Sequence, residues 1–157
     1  MSGPARVLVP IDRAVLAEAR RATLVTIGPR GLARPVPVCY AILESDDGSV
    51  VAWTPIDEKP KRSADPLDLA RVRDILERPG VAILVDRWDE DWQRLAWVRL
   101  AGIATVVAPG DVLDRSAAIA ALRARYPQYR AHDLEARPMI RVAVSTIVSW
   151  HAVGEAG

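Results

Sequence analysis

The sequence predicts a mainly β fold with peripheral helices: a small antiparallel barrel of about six strands. Three observations lead there. Runs of apolar and β-branched residues bounded by Gly, Pro and Asp recur along the chain and read as strands. The helical patterns do not alternate with them as βαβ crossovers would, which argues against a Rossmann sheet. There is also no glycine-rich dinucleotide fingerprint and no Walker loop.

The elements follow in order. Asp12 to Arg21 reads as a first helix, with Asp12 as N-cap and Val15, Leu16 and Ala19 as its apolar face. Ala22 to Ile27 is a strand that ends at the turn signal Gly28-Pro29-Arg30-Gly31. Ala33 to Ile42 follows as one strand. Its prolines, Pro35 and Pro37, are two apart and share a face, so each removes a ladder donor on the same side. Such a strand belongs at a sheet edge or beside a ligand. Asp46-Asp47-Gly48 turns the chain into Ser49 to Thr54, and these three runs read as an antiparallel meander.

Asp65-Pro66 opens a helix, with Asp as cap and Pro at its first position; Leu69, Val72, Ile75 and Leu76 form its apolar stripe and Pro79-Gly80 ends it. Val81 to Val85 is a continuous apolar run, as in a central strand. A polar, tryptophan-bearing excursion over Asp86 to Gln93 precedes a long strand from Arg94 to Val107, in which Gly102 marks a bulge or bend. Asp111 to Arg125 reads as a helix with acids in its first turn and Arg123 and Arg125 in its last, matching the helix dipole. Met139 to Trp150 is the final strand.

Composition narrows the function. The 157 residues suit one domain, with its core over about 12–151. Net charge is +1, against a general nucleic-acid binder. No stretch is apolar enough to span a bilayer and the first residues lack a signal-peptide core, so a cytoplasmic protein is expected. Cys39 is the one cysteine, so no internal disulfide forms, and no protein-only metal site is expected.

Of 21 Lys and Arg residues only Lys59 and Lys61 are lysine, and both lie in Asp57-Glu58-Lys59-Pro60-Lys61-Arg62. Three cations within four residues, before a helix start, suit a phosphate or carboxylates; lysine brings a compact point charge and arginine a planar fork. From the cluster alone, a solvated loop neutralised by Asp57 and Glu58 is the stronger reading. Trp53, Trp97 and Trp150 read equally as strand core, and Trp88 and Trp92 as a lid or contact surface. Cys39 reads as a small buried hydrophobe, His151 as a surface residue, and Tyr126 and Tyr129 as packing residues with a place near a substrate left open.

The ordered set of Asp57 to Arg62, Arg78-Pro79-Gly80-Val81, Leu84 to Trp92 and Trp97-Val98-Arg99 resembles the flavin- and deazaflavin-binding split-barrel family that includes pyridoxamine 5'-phosphate oxidase. Within it, the chain is most similar to the deazaflavin (F420)-dependent oxidoreductases. The resemblance runs from Ala22 to Trp150. It implies a six-stranded split barrel that forms a homodimer, with cofactors in grooves between the subunits. It gives Lys59, Lys61 and Arg62 the cofactor's phosphate, which reverses the reading of that loop. It places Val36-Pro37-Val38 and Trp53-Thr54-Pro55 along the ring and ribityl chain, and Trp97 and Arg99 against the cofactor of the partner subunit. The implied activity is hydride transfer from reduced F420 to an electron-poor small molecule. An FMN-dependent oxidase or reductase, or a non-catalytic flavin, deazaflavin or tetrapyrrole binder, are the alternatives. The Arg-x-Val-Leu-Leu-Lys phosphate motif of the pyridoxamine oxidases is missing; Arg34-Pro35-Val36-Pro37 stands in its place. No catalytic side chain is identified, with solvent or Tyr40 as the nearest proton donors. Arg34 and Arg99 would extend a cationic track for the F420 tail.

Overall fold

The computed structural model describes residues 7–56, 65–111 and 115–152. Helix α1 (Pro10–Glu18) leads into strands β1 (Ala22–Ile27), β2 (Ala33–Val38), β3 (Ala41–Glu44) and β4 (Val50–Pro55). Helix α2 (Ala70–Glu77), strands β5 (Gly80–Arg87) and β6 (Ala96–Val107), helix α3 (Arg115–Arg125) and strand β7 (Met139–His151) complete the order. All strands belong to one sheet, in the order β2-β1-β5-β6-β7-β4-β3, and every pair is antiparallel.

That order closes the fold. β2 and β3 are the two edges of the sheet, yet only Cys39 and Tyr40 separate them in the chain. Three peptide steps span at most about 11 Å, so the edges must lie side by side and the sheet must curl. The result is a barrel left open between β2 and β3, where no ladder joins them. The sequence led us to expect six strands, with β1, the run Ala33–Ile42 and β4 in a meander. Instead the single run Ala33–Ile42 divides at Cys39–Tyr40, giving seven strands, and its halves pair with β1 on one side and β4 on the other. The prolines of β2 behave as expected: Pro35 and Pro37 lie on an edge strand and both are exposed.

Two helix boundaries differ from expectation for local reasons. Val9, not Asp12, is the cap of α1, and Asp12 Oδ2 accepts the Val9 N–H at 3.0 Å from the third helical position. Asp65 caps a short 3₁₀ turn (Pro66–Asp68) by accepting from the Leu67 N–H, and α2 starts only at Ala70. Leu76, expected in the apolar stripe, is 65% exposed.

The sheet has an inner and an outer side. Inward residues such as Leu24, Ile83, Val98, Leu100 and Val142 share one core with Val15 and Leu16 of α1 and Val72 and Ile75 of α2. The outer side is unequal. At the β3–β4 end, Ala41 and Trp53 pack beneath Ala118, Ile119 and Leu122 of α3 in a second core. At the β1–β5–β6 end no helix among the described residues covers it, and Leu84 and Ile103 are 37% and 54% exposed. β6 and β7 slip register at Ala101/Gly102, the bulge that Gly102 foretold. A Cβ on Gly102 would lie 2.0 Å from the Ala143 carbonyl oxygen, so the strands approach there as only glycine permits.

Candidate functional site

The residues expected to hold a cofactor fall into two groups on the curled sheet. On β2, Val36 and Val38 face inward opposite Leu24 and Ala22, while Pro37 points outward opposite Thr23. On β4, Thr54 is buried opposite Ile140, and Trp53 and Pro55 are buried on the outer side opposite Arg141 and Met139. Trp97 and Arg99 are outward neighbours on β6, with the Arg99 guanidinium carbon 5.8 Å from the Trp97 ring centre. A cross-strand row runs Pro37–Thr23–Leu84–Arg99–Val148 over the open outer side.

Geometry divides these groups. Trp53 pairs with Arg141, and Arg141 with Thr105. Thr105 is eight residues along β6 from Trp97, which is roughly 25 Å at the rise of a strand. Within one chain, Trp53-Thr54-Pro55 and Trp97-Arg99 therefore cannot contact the same ring. Lys59, Lys61 and Arg62 lie outside the described residues. Ile56, the last described residue before them, follows β4, and its carbonyl accepts from Arg137 Nε at 2.6 Å.

Trp53 carries a mark of its own. It is fully buried, and its indole Nε1 has no hydrogen-bond partner among the described residues. A buried indole N–H normally finds an acceptor. Trp53 has no exposed surface beneath α3, so a cofactor oxygen does not reach its indole in this arrangement, and the exposed Arg99 beside Trp97 is the better fit to an anionic, planar group. Arg34 fits it less well: its guanidinium reaches Asp74 at 3.3 Å, and buried Asp74 also accepts from the Thr26 hydroxyl at 2.8 Å. Arg34 thus ties β2 to α2.

Tyr40, the nearest side chain to a proton donor in the sequence, is structural. It is buried at the split, donates to the Leu16 carbonyl at 2.6 Å and accepts from Arg125. Burial pushes its phenol up to about 12, with the Arg125 charge opposing that rise. Arg125 also donates to the Leu16, Ala17 and Ala19 carbonyls, capping the end of α1. His151 is not a free surface residue: its Nε2 lies 3.1 Å from buried Asp12, clasping the end of β7 to α1. Trp88, Trp92 and Trp150 are exposed at 71%, 70% and 46%, so the core reading of Trp150 does not hold.

At the split itself lies a cavity of about 380 Å³ lined by Arg20, Cys39, Tyr126, Gln128, Tyr129 and His132. Cys39 and Ala41, the partner of Trp53, flank Tyr40, so the cavity adjoins the Trp53 core. Sequence reasoning saw Tyr126 and Tyr129 as packing and missed Arg20, Gln128 and His132. These come from the α1–β1 turn and from the segment after α3, more than a hundred positions apart, and no local pattern joins them.

Comparison with known proteins fits this architecture. Residues 11–151 match the family model described as pyridoxamine 5'-phosphate oxidase. No protein of curated function matches the chain in sequence. Among solved structures, a conserved hypothetical protein from Mycobacterium tuberculosis is 19% identical with a TM-score of 0.66, over 99% of each chain. An F420 reductase is 18% identical with a TM-score of 0.56, over 87% of this chain and 94% of its own. A heme storage protein from Vibrio cholerae is 12% identical with a TM-score of 0.61, over 92% and 94%. At such identities these likenesses speak for the fold, whereas the family match spans nearly the whole sequence: the chain belongs to the pyridoxamine 5'-phosphate oxidase family of split barrels.

Proposed function

We propose that this protein is an F420-dependent oxidoreductase acting as a homodimer on an electron-poor, conjugated small molecule. One observation carries the reading. Trp53 and Pro55 on β4 and Trp97 and Arg99 on β6 stand on the same outer side of the sheet, roughly 25 Å apart, with an apolar surface that no described helix covers around the second pair. A two-fold partner laid on that surface would bring the Trp97–Arg99 end of one chain to the Trp53–Pro55 end of the other. The F420 reductase among the structural likenesses supports the choice of cofactor.

When bound, the reduced deazaflavin supplies a hydride, and the protein's part is position, electrostatics and exclusion of water. Trp53 would back the site from beneath α3. Val36, Pro37, Val38, Thr54 and Pro55 would line its path through backbone groups and apolar contacts. Lys59, Lys61 and Arg62 would hold its phosphate. Arg99, stacked on Trp97, would meet the carboxylates of the tail from the partner subunit. Three cations in one loop exceed what a single phosphate needs, which favours a cofactor with an anionic tail over FMN.

Titrating F420 and FMN separately against tryptophan fluorescence tests this. We expect tighter binding of F420, weakening as salt screens the charges. Tighter binding of FMN would favour an FMN-dependent enzyme, and a Soret band with added haem but no response to either flavin would favour a tetrapyrrole binder.

A further inference from the structure

We infer that the cavity at the barrel split binds a one- or two-ring aromatic carboxylate; that this ligand is the substrate rests on the proposed function, but the binding does not. The walls are aromatic: the Tyr126 and Tyr129 rings meet edge to face at 5.5 Å, and Tyr129 and His132 do the same at 5.5 Å. Such edges suit a flat conjugated guest. The volume of about 380 Å³ admits one or two fused rings.

The polar groups favour an anion. Arg20 stands 4.9 Å over the Tyr126 ring and donates through one nitrogen to the Arg125 carbonyl. A guanidinium has five N–H donors, and among the described residues Arg20 has no carboxylate partner. The acids closest in sequence to His132 are occupied: Glu135 is paired with Arg123 at 2.5 Å and Asp133 accepts the Ala136 N–H at 3.1 Å. The His132 Nδ1 atom is buried without a partner among the described residues. Arg20, an exposed residue, thus brings positive charge to the rim of an aromatic pocket. A carboxylate would gain a charge-assisted hydrogen bond from Arg20 that a neutral apolar guest would not. Adjacency to the Trp53 core places such a guest beside the proposed cofactor site.

Cys39 makes the pocket testable, because it is the chain's one cysteine and lines the cavity. The cofactor-free full-length protein would be treated with a maleimide in the presence of naphthoate or of naphthamide, its neutral isostere. We expect naphthoate to slow Cys39 alkylation saturably, and naphthamide to bind about tenfold more weakly, the scale of one charged hydrogen bond. Arg20→Gln should erase the difference between the two, and His132→Leu should weaken both. Absence of protection by naphthoate at about 5 mM, or equal protection by the amide, overturns the proposal. Protection without F420 binding in the fluorescence titration would keep the pocket and overturn its assignment as the substrate's. F420 binding without protection would overturn the pocket and leave the cofactor reading standing.

Discussion

The two ends of the outer sheet surface are built alike and treated differently. Both present large apolar side chains on antiparallel strands. At the β3–β4 end, α3 lies across Ala41 and Trp53, and Trp53 is fully buried. At the β1–β5–β6 end none of the described residues covers Leu84, Ile103 or the Pro35 and Pro37 face of β2. Since apolar area is costly to leave in water, the exposed end is the place for the partner subunit proposed above. The split and its cavity lie next to the covered end. A catalytic groove shared by two chains would draw one wall from each.

Breaking the open end should have the largest effect. Arginines at both Leu84 and Ile103 would place charge in the proposed contact, and a desolvated unpaired charge is not tolerated there. Light scattering should then change from dimer to monomer, while the far-UV spectrum stays the same. A wild-type chain that is monomeric at micromolar concentration would remove the basis of the two-chain groove.

The covered end should respond through folding stability. Trp53→Ala should cost about 3–5 kcal/mol in urea unfolding, as for other buried tryptophans. Leu84→Ala, at the open end, should cost far less in the isolated monomer. Similar losses at both sites would mean that the ends do not differ as described.

The cations that follow β4 in the sequence sharpen the comparison through binding. Lys61→Ala or Arg62→Ala should weaken F420 affinity by about 1–3 kcal/mol, the range for a charged hydrogen bond, with little change in thermal stability without cofactor. Unchanged affinity with a lowered melting temperature would make the loop structural.

The smallest expected effect concerns the join at the split. Tyr40→Phe removes the hydrogen bond to the Leu16 carbonyl and should cost about 1–2 kcal/mol at neutral pH. Because the native phenol is raised from 10 to about 12, the unfolded chain loses its proton first as pH rises. The stabilisation is fully present below pH 10 and falls away through pH 12. The wild type should therefore lose more stability than Tyr40→Phe across that window, measured by urea midpoints. Parallel pH curves would show that Tyr40 ionises as it does in water.

Strand residues Val81 to Val85, the Gly102 bulge and the edge character of β2 were legible in the sequence, because period, glycine and proline act locally. The meander was misread for a local reason too: an unbroken apolar run gives no sign that Cys39–Tyr40 must cross the split. Cap positions drifted by a few residues, since Asp12 and Asp65 serve backbone N–H groups on either side of where a helix begins. Of the candidate site, the sequence by itself supplied the cluster of cations, the tryptophans and the family resemblance, all properties of contiguous residues. Only the tertiary structure decided that Tyr40 and Arg34 are tied into the scaffold, that Trp53 and Trp97 stand at opposite ends of one surface, and that Arg20 meets His132 around a cavity. Those relations depend on how far the sheet curls and which helix covers which strand. They are long-range packing outcomes that no window of neighbouring residues contains.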